Sequence, residues 1–84
     1  IELKNDSVMT GKTIQFGENG GNNGTINVDA STLTITAGNT ASAFDGKGIG
    51  EINATNDATV SVDYYKGMTI NVDATSTFTG TEVF

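Results

Sequence analysis

The chain has 84 residues and a formal net charge of -6, and it contains no cysteine, histidine, arginine or tryptophan. These absences exclude a disulfide framework and a zinc site built from cysteine and histidine, and they remove the usual general base of an enzyme. The acidic balance argues against nucleic acid and anionic membranes as partners, because both attract clustered positive charge.

Short runs of alternating apolar and polar residues, rich in threonine, valine and isoleucine, fill most of the chain. Glycine, asparagine and aspartate separate these runs, a pattern typical of strands and turns. In chain order we predict strands over residues 1–4, 13–16, 25–28, 32–36, 51–54, 59–65, 68–72 and 77–84. The glycine-rich segment 17–24 is predicted to be a loop, and no apolar run approaches the roughly 20 residues that span a bilayer. Residues 1–84 therefore form a single all-β module or a piece of a longer array.

Four segments of the chain share one pattern, in which an apolar–polar–apolar triplet is followed by a polar break and a second short strand. The segments begin at Ile1, Ile26, Ile52 and Ile70, so their starts are 25, 26 and 18 residues apart. The apolar residues of the second strands include Met9, Leu33, Val60 and Phe78. Such intervals suit a parallel β-solenoid, or β-helix, of about four short rungs.

On this model, equivalent residues of successive repeats stack in columns. The predicted interior columns are Ile26, Ile52 and Ile70, and Val28, Ala54 and Val72. The predicted outward column, joined through side-chain amides, is Asn27, Asn53 and Asn71. Residues that tolerate tight turns follow the first strands, namely Asp29, Asn56, Asp57 and Asp73.

An antiparallel β-sandwich or jelly roll is the alternative all-β fold. The link between residues 25–28 and 32–36 is short enough for a hairpin, which would place those two strands side by side. We favour the solenoid because a sandwich does not require the same internal spacing in four successive segments.

The phrase "NNGTINVDASTLTITAGN", which starts at Asn22, resembles the repeats of bacterial secreted β-helix proteins, and the similarity extends to Thr81. These proteins are autotransporter passenger domains, filamentous-haemagglutinin-like exoproteins and pectate-lyase-like adhesive domains. The resemblance implies an extracellular or cell-surface location and a structural, adhesive or glycan-contacting role. Pectate lyases use calcium-binding acids and a basic residue, and this chain has no arginine to match. We therefore predict that the chain is not an enzyme.

Hydroxyl side chains alternate with apolar residues in the second strands, so the solenoid model places them on one outward face. This candidate ligand face consists of Thr32, Thr34, Thr36, Thr59, Ser61, Thr77, Thr79 and Thr81. A Thr-x-Thr ladder is how several β-solenoid antifreeze proteins resemble an ice lattice, so ice binding is one alternative function and glycan binding is another. The simpler interpretation, which we favour, is that threonine suits a soluble strand face.

Tyr64 and Tyr65, with Phe44, are the clustered aromatic candidates for contact with a sugar ring. Because adjacent strand residues point to opposite faces, we expect at least one tyrosine to lie in the core or at its rim.

No cofactor is required by the sequence, and calcium is the one that it suggests. The segment "GENGGNNG" is similar to calcium-binding nonapeptide repeats, but Glu18 is its sole charged residue. Asp29, Asp57 and Asp73 are expected at equivalent positions just after the first strand or within a residue or two of it. A cation or solvent screening would relieve their repulsion there, and we favour screening.

A short solenoid leaves unpaired strand edges at both ends. We predict that these edges continue into neighbouring domains or pair with another copy, which would build a fibre. The sandwich alternative would allow a filament through donation of a terminal strand such as residues 1–9. The predicted partners are therefore a further copy of the chain and a host or matrix glycan.

Overall fold

The computed structural model describes residues 1–12 and 24–83, and the described residues are mostly in strands. The strands are β1 (Glu2–Leu3), β2 (Val8–Gly11), β3 (Gly24–Asp29), β4 (Thr32–Ile35), β5 (Phe44–Thr55), β6 (Thr59–Val72) and β7 (Thr77–Glu82). A 3-10 turn lies at Thr40–Ser42. The all-β prediction is confirmed.

Every strand pair in the described residues is parallel, and the strands form one sheet. The order is β1-β3-β5-β6-β4-β2, and β7 also pairs with β6. The sheet curls until it is nearly closed. It does so because β6 pairs with β4 and β7 through its first half and with β5 through the rest. Within the described part of the chain β3 and β4 do not pair, so the hairpin of an antiparallel sandwich is not found.

The strand pairs fall into two columns. The isoleucine column contains β1, β3, residues 50–54 of β5 and residues 68–72 of β6. The threonine column contains β2, β4, residues 59–62 of β6 and β7. We call one passage of the chain through both columns a rung, so that β1 and β2 form rung 1 and β7 ends rung 4.

The register between rungs follows the predicted repeats. In the isoleucine column the partners in turn are Ile26, Ile52 and Ile70, then Val28, Ala54 and Val72. In the threonine column they are Met9, Leu33, Val60 and Phe78. A sequence motif that occurs once in each rung therefore places equivalent residues of successive rungs directly beside one another.

Apolar side chains from both columns share one core. Its largest fully buried side chains are Phe44, Ile26, Leu33, Ile35, Ile52, Val28 and Val60. Complete burial of such a side chain contributes about 1.5–3 kcal/mol. The interior prediction is wrong for Val72, which is 40% exposed, and Ile70 is half-buried. Both residues belong to rung 4, where the described residues provide no further strand to cover them.

Several predicted boundaries differ from the structure. The predicted strands 59–65 and 68–72 are one strand, β6, and β5 begins at Phe44 instead of residue 51. Three glycines between Phe44 and Glu51 weaken the strand pattern, so the start of β5 was not predicted from the sequence. The pairing of Phe44 with Tyr65 stabilises this part of the strand. β2 was absent from the predicted strands, although the repeat alignment included Met9. The predicted strand 13–16 and most of the loop 17–24 lie outside the described residues.

The corners between the two columns use left-handed backbone conformations. Asn5 and Asp6 have φ of 58° and 65°, and Asn56 and Asp57 have φ of 57° and 64°. Asparagine and aspartate tolerate this region better than other residues with a side chain. In rung 2 the left-handed residue is Ala30, with φ of 51°, so the turn is centred there and not at Asp29 as predicted.

Candidate functional site

The outward side of the threonine column carries two rows of mainly hydroxyl side chains. In its strands Leu33 and Val60 point inward and are fully buried, while the residues between the apolar positions face outward. Row 1 consists of Val8, Thr32, Thr59 and Thr77. Row 2 consists of Thr10, Thr34, Ser61 and Thr79. Strand geometry separates the rows by about 6.6 Å and neighbours within a row by about 4.8 Å.

The two rows include most of the predicted ligand face but omit Thr36 and Thr81. Thr36 lies beyond the end of β4, and Thr81 pairs with Tyr64 instead of a member of either row. Without the register shift between Val62 and Tyr64, Thr81 would pair with Asp63, which also belongs to neither row. Sequence reasoning also missed Thr10, although "VMT" has the same alternation as "TLT" and "TFT".

A shallow groove of about 240 Å³ adjoins the rows at this shift. Its lining residues are Ser61, Val62, Asp63, Thr79, Gly80 and Thr81. The exposed Asp63 is the extra residue of β6 at the bulge, a feature that re-aims side chains. Glycine permits the close approach of the strands, because a Cβ on Gly80 would lie 2.9 Å from the carbonyl oxygen of Val62. The carboxylate and hydroxyl groups could exchange hydrogen bonds with a polyhydroxylated ligand.

The three aromatic candidates have different surroundings. Phe44 is fully buried, so its prediction as a sugar contact is wrong. Tyr65 packs edge to face on Phe78, with ring centroids 5.4 Å apart and an interplanar angle of 87°. This packing places Tyr65 at the rim of the core, as expected for one of two adjacent tyrosines. Tyr64 is half-buried, follows Asp63 in the chain and pairs with Thr81, which lines the groove.

The predicted asparagine column forms a directional ladder on the isoleucine column. Asn53 Nδ2 donates to Asn27 Oδ1 at 2.9 Å, and Asn71 Nδ2 donates to Asn53 Oδ1 at 2.8 Å. Asn53 Nδ2 also donates to Glu51 Oε1 at 2.9 Å. Asn53 and Asn71 therefore each donate toward rung 1, and the central residue, Asn53, makes the most of these hydrogen bonds.

At the corner, Asp29 and Asp73 are both bound by Asn56. The Nδ2 group of Asn56 donates to Asp29 Oδ1 at 2.7 Å, and its backbone N–H donates to Asp73 Oδ2 at 2.9 Å. The backbone N–H of Asp57 donates to Thr75 Oγ1 instead. Asp29 and Asp73 lie at the level of Thr55, and Asp57 lies two residues further along, within the predicted range. Asn56 supplies donors to the carboxylates of Asp29 and Asp73.

The hydrogen bonds around Asp73 favour its ionised form. The backbone N–H of Asn56 is the main cause that lowers the pKa of Asp73 from 3.8 to about 2. The side chain of Ser76 and the backbone and hydroxyl donors of Thr75 lower this pKa further. In residues 1–12 and 24–83, no three acidic, histidine or cysteine side chains come together to hold a metal ion. Glu18, in the segment similar to calcium-binding repeats, lies outside those ranges.

The most exposed large apolar side chains lie in the end rungs. Ile1 and Val8 of rung 1 are 53% and 70% exposed, and Val72 of rung 4 is 40% exposed. Further side chains of the end rungs are only partly buried against the core: Leu3, Met9, Met68, Ile70 and Phe78. Within the described residues, the strands at these ends have partners on one side only, so each presents an open backbone edge.

Comparison with known proteins finds no similar protein: no family model, curated protein or solved structure matches the chain significantly. The resemblance to secreted β-helix proteins therefore stays a prediction from the quoted residues. The described part of the chain also contains no helix that is long and apolar enough to cross a membrane.

Proposed function

We propose that the chain is a parallel β-solenoid module of an extracellular structural or adhesive protein, which assembles end to end at a bacterial surface or in a filament. The observation that carries this proposal is the form of the end rungs. They repeat the two columns of the interior, but their apolar side chains are partly exposed, and among residues 1–12 and 24–83 no strand pairs with their outer edges. Open edges of this kind invite pairing with further strands. The proposed role is structural and not catalytic.

The register between rungs supports a solenoid over a closed barrel. The isoleucine column repeats at 26 residues between Ile26 and Ile52 and at 18 between Ile52 and Ile70. In a solenoid each coil contacts only its neighbours, so a coil can be added without disturbing the others. In a closed barrel, by contrast, added strands would change the strand number and the curvature of the whole sheet.

Duplication of residues 52–69, one complete coil, tests the solenoid directly. We expect the longer chain to fold cooperatively and to melt at a higher temperature, because one more interface between rungs is formed. The control is an insert of the same length made of glycine and serine at the same point. If both inserts destabilise the chain equally, the proposal of a solenoid is refuted.

End-to-end assembly is tested by light scattering after gel filtration and by negative-stain microscopy over a range of concentrations. We expect the mean mass to rise with concentration and thin filaments one module wide to appear. A chain that stays monomeric at the highest concentrations would refute assembly of this module with itself, while the duplication experiment would still report on the solenoid.

The two hydroxyl rows favour ice binding as a second candidate function. Register pairing gives the rows a regular spacing across four strands, and a regular array can order water. Thermal hysteresis of a dilute solution is the measurement. We expect a signal that Thr34→Tyr abolishes and Thr69→Tyr leaves unchanged, because Thr69 is exposed on the other column. A wild-type chain without hysteresis refutes this function.

An adhesive role would place a glycan on the same face, at the groove beside Asp63. Saturation-transfer NMR with neutral oligosaccharides measures such binding even in large assemblies. We expect Asp63→Asn to weaken the signal, and Glu82→Gln to leave it unchanged as a control for charge, since Glu82 does not line the groove. Equal signals from both variants would contradict a glycan at this groove.

A further inference from the structure

The corners of the two end rungs have the same length. The chain takes five residues from Leu3 to Val8 in rung 1, and the same number from Val72 to Thr77 in rung 4. The spacing between the isoleucine and threonine columns is therefore covered by corners of equal length at both ends. A rung 1 placed on a rung 4 can keep both columns in register at once.

We infer that each end rung binds the opposite end rung of a second copy of this chain, in parallel, with Leu3 over Val72 and Met9 over Phe78. This inference rests on the proposed end-to-end assembly and adds to it the partner, the direction and the register. It extends the pairing found inside the molecule, where Leu3 pairs with Val28 and Met9 pairs with Leu33.

This register covers the inward apolar side chains that the end rungs leave exposed, while Val8 faces outward in row 1 and stays at the surface. Ile1 comes over Ile70 and Leu3 over Val72, so two columns of aliphatic side chains become continuous between copies. In the threonine column Met9 comes over the ring of Phe78, and a thioether packs favourably against an aromatic ring. The contact therefore adds a fifth layer to the core of each copy.

Charge favours the same direction. Lys4 follows Leu3, and Asp73 follows Val72, so the lysine of one copy lies beside the carboxylate of the next. Lys12 follows β2 at the level of Thr81, one residue before Glu82 at the end of β7. The contact of opposite charges favours this direction.

Cysteine crosslinking tests the register, because the chain has no cysteine of its own. Thr10 and Thr79 belong to row 2 at opposite ends, about 14 Å apart within one copy, which is too far for a disulfide. In the inferred junction the two residues are neighbours at about 4.8 Å between Cα atoms, within the range of a disulfide. The control pair is Thr10→Cys with Thr77→Cys, which the junction separates by about 8 Å.

We expect oxidation of the Thr10→Cys, Thr79→Cys chain to give a ladder of covalent multimers on a non-reducing gel, and the control pair to give almost none. A mixture of the two single variants, Thr10→Cys and Thr79→Cys, is expected to stop at dimers. Equal crosslinking by both pairs, or none by either in a chain that assembles, overturns the register and leaves end-to-end assembly standing. A chain that forms no assemblies overturns both.

The charge contact has its own test. Lys4→Gln is expected to weaken association about two- to five-fold, the range for an exposed ion pair. Lys66→Gln is the matched control, because each lysine already has a partner in its own chain, Glu2 at 3.3 Å for Lys4 and Asp45 at 3.8 Å for Lys66. Equal effects of the two substitutions would remove Lys4 from the junction.

Discussion

Replacement of Asn53 by aspartate tests the direction in which the side-chain amides of the asparagine ladder donate their hydrogen bonds. The substitution preserves the shape of the side chain and the oxygen that accepts from Asn71, but it removes the Nδ2 group. That group donates to Asn27 and to Glu51, each at 2.9 Å. The new carboxylate also lies next to the carboxylate of Glu51. Asn53→Asp therefore combines the loss of two hydrogen bonds with a repulsion between like charges.

The expected magnitude follows from these contacts. Two hydrogen bonds contribute about 1–3 kcal/mol together. Two like charges about 4 Å apart in water repel by about 1 kcal/mol. We expect the free energy of unfolding to fall by about 3 kcal/mol at neutral pH.

Two further positions of the ladder are the controls. Asn71→Asp loses one hydrogen bond, the 2.8 Å contact to Asn53, and is expected to destabilise by about 1 kcal/mol. Asn27 accepts the amide of Asn53, so Asn27→Asp keeps that contact and is expected to stay within about 1 kcal/mol of the original chain. Urea unfolding followed by circular dichroism measures all three. If Asn27→Asp proves the most destabilising, the ladder runs in the opposite direction and the assigned hydrogen bonds are wrong.

Three other predictions concern the backbone and pH. Ala30→Gly should raise the unfolding free energy by about 0.5–1 kcal/mol, because relief of the left-handed strain exceeds the added chain entropy; an unchanged or lower value would contradict this. Gly46→Ala should destabilise the chain strongly, since the new Cβ would lie 2.5 Å from the carbonyl oxygen of Gly67, whereas Gly11→Ala meets only ordinary contacts and should be tolerated in thermal melts. The carboxyl of Asp73 has a lower pKa in the folded chain, about 2 against 3.8. Its contribution to the free energy of unfolding is therefore complete above about pH 4 and is lost as the pH falls toward 2. Asp73→Asn should make the free energy of unfolding less dependent on pH over this window. A variant with the same pH profile as the original chain would exclude the proposed contribution.

The repeats in the sequence were sufficient to predict the columns. The spacing of Ile26, Ile52 and Ile70 predicted which residues pair, and the structure confirms that register. The asparagine ladder followed from the same alignment, because a residue next to a column position must itself form a column. Alternation along the strands also separated the inward residues from most of the hydroxyl rows. These features depend on residue spacing, which is a property of the sequence alone.

Other features depended on contacts between rungs. No local pattern shows that Asp63 is an extra residue in β6, since the bulge exists only relative to the partner strand β7. Phe44 follows a polar stretch and precedes glycines, yet pairing with Tyr65 draws it into the core. Val72 has the same sequence context as the buried Val28, and only its place in the last described rung leaves it exposed. Spacing along the chain thus determined which residues stack, while the neighbours on either side in the tertiary structure decided which of them are covered.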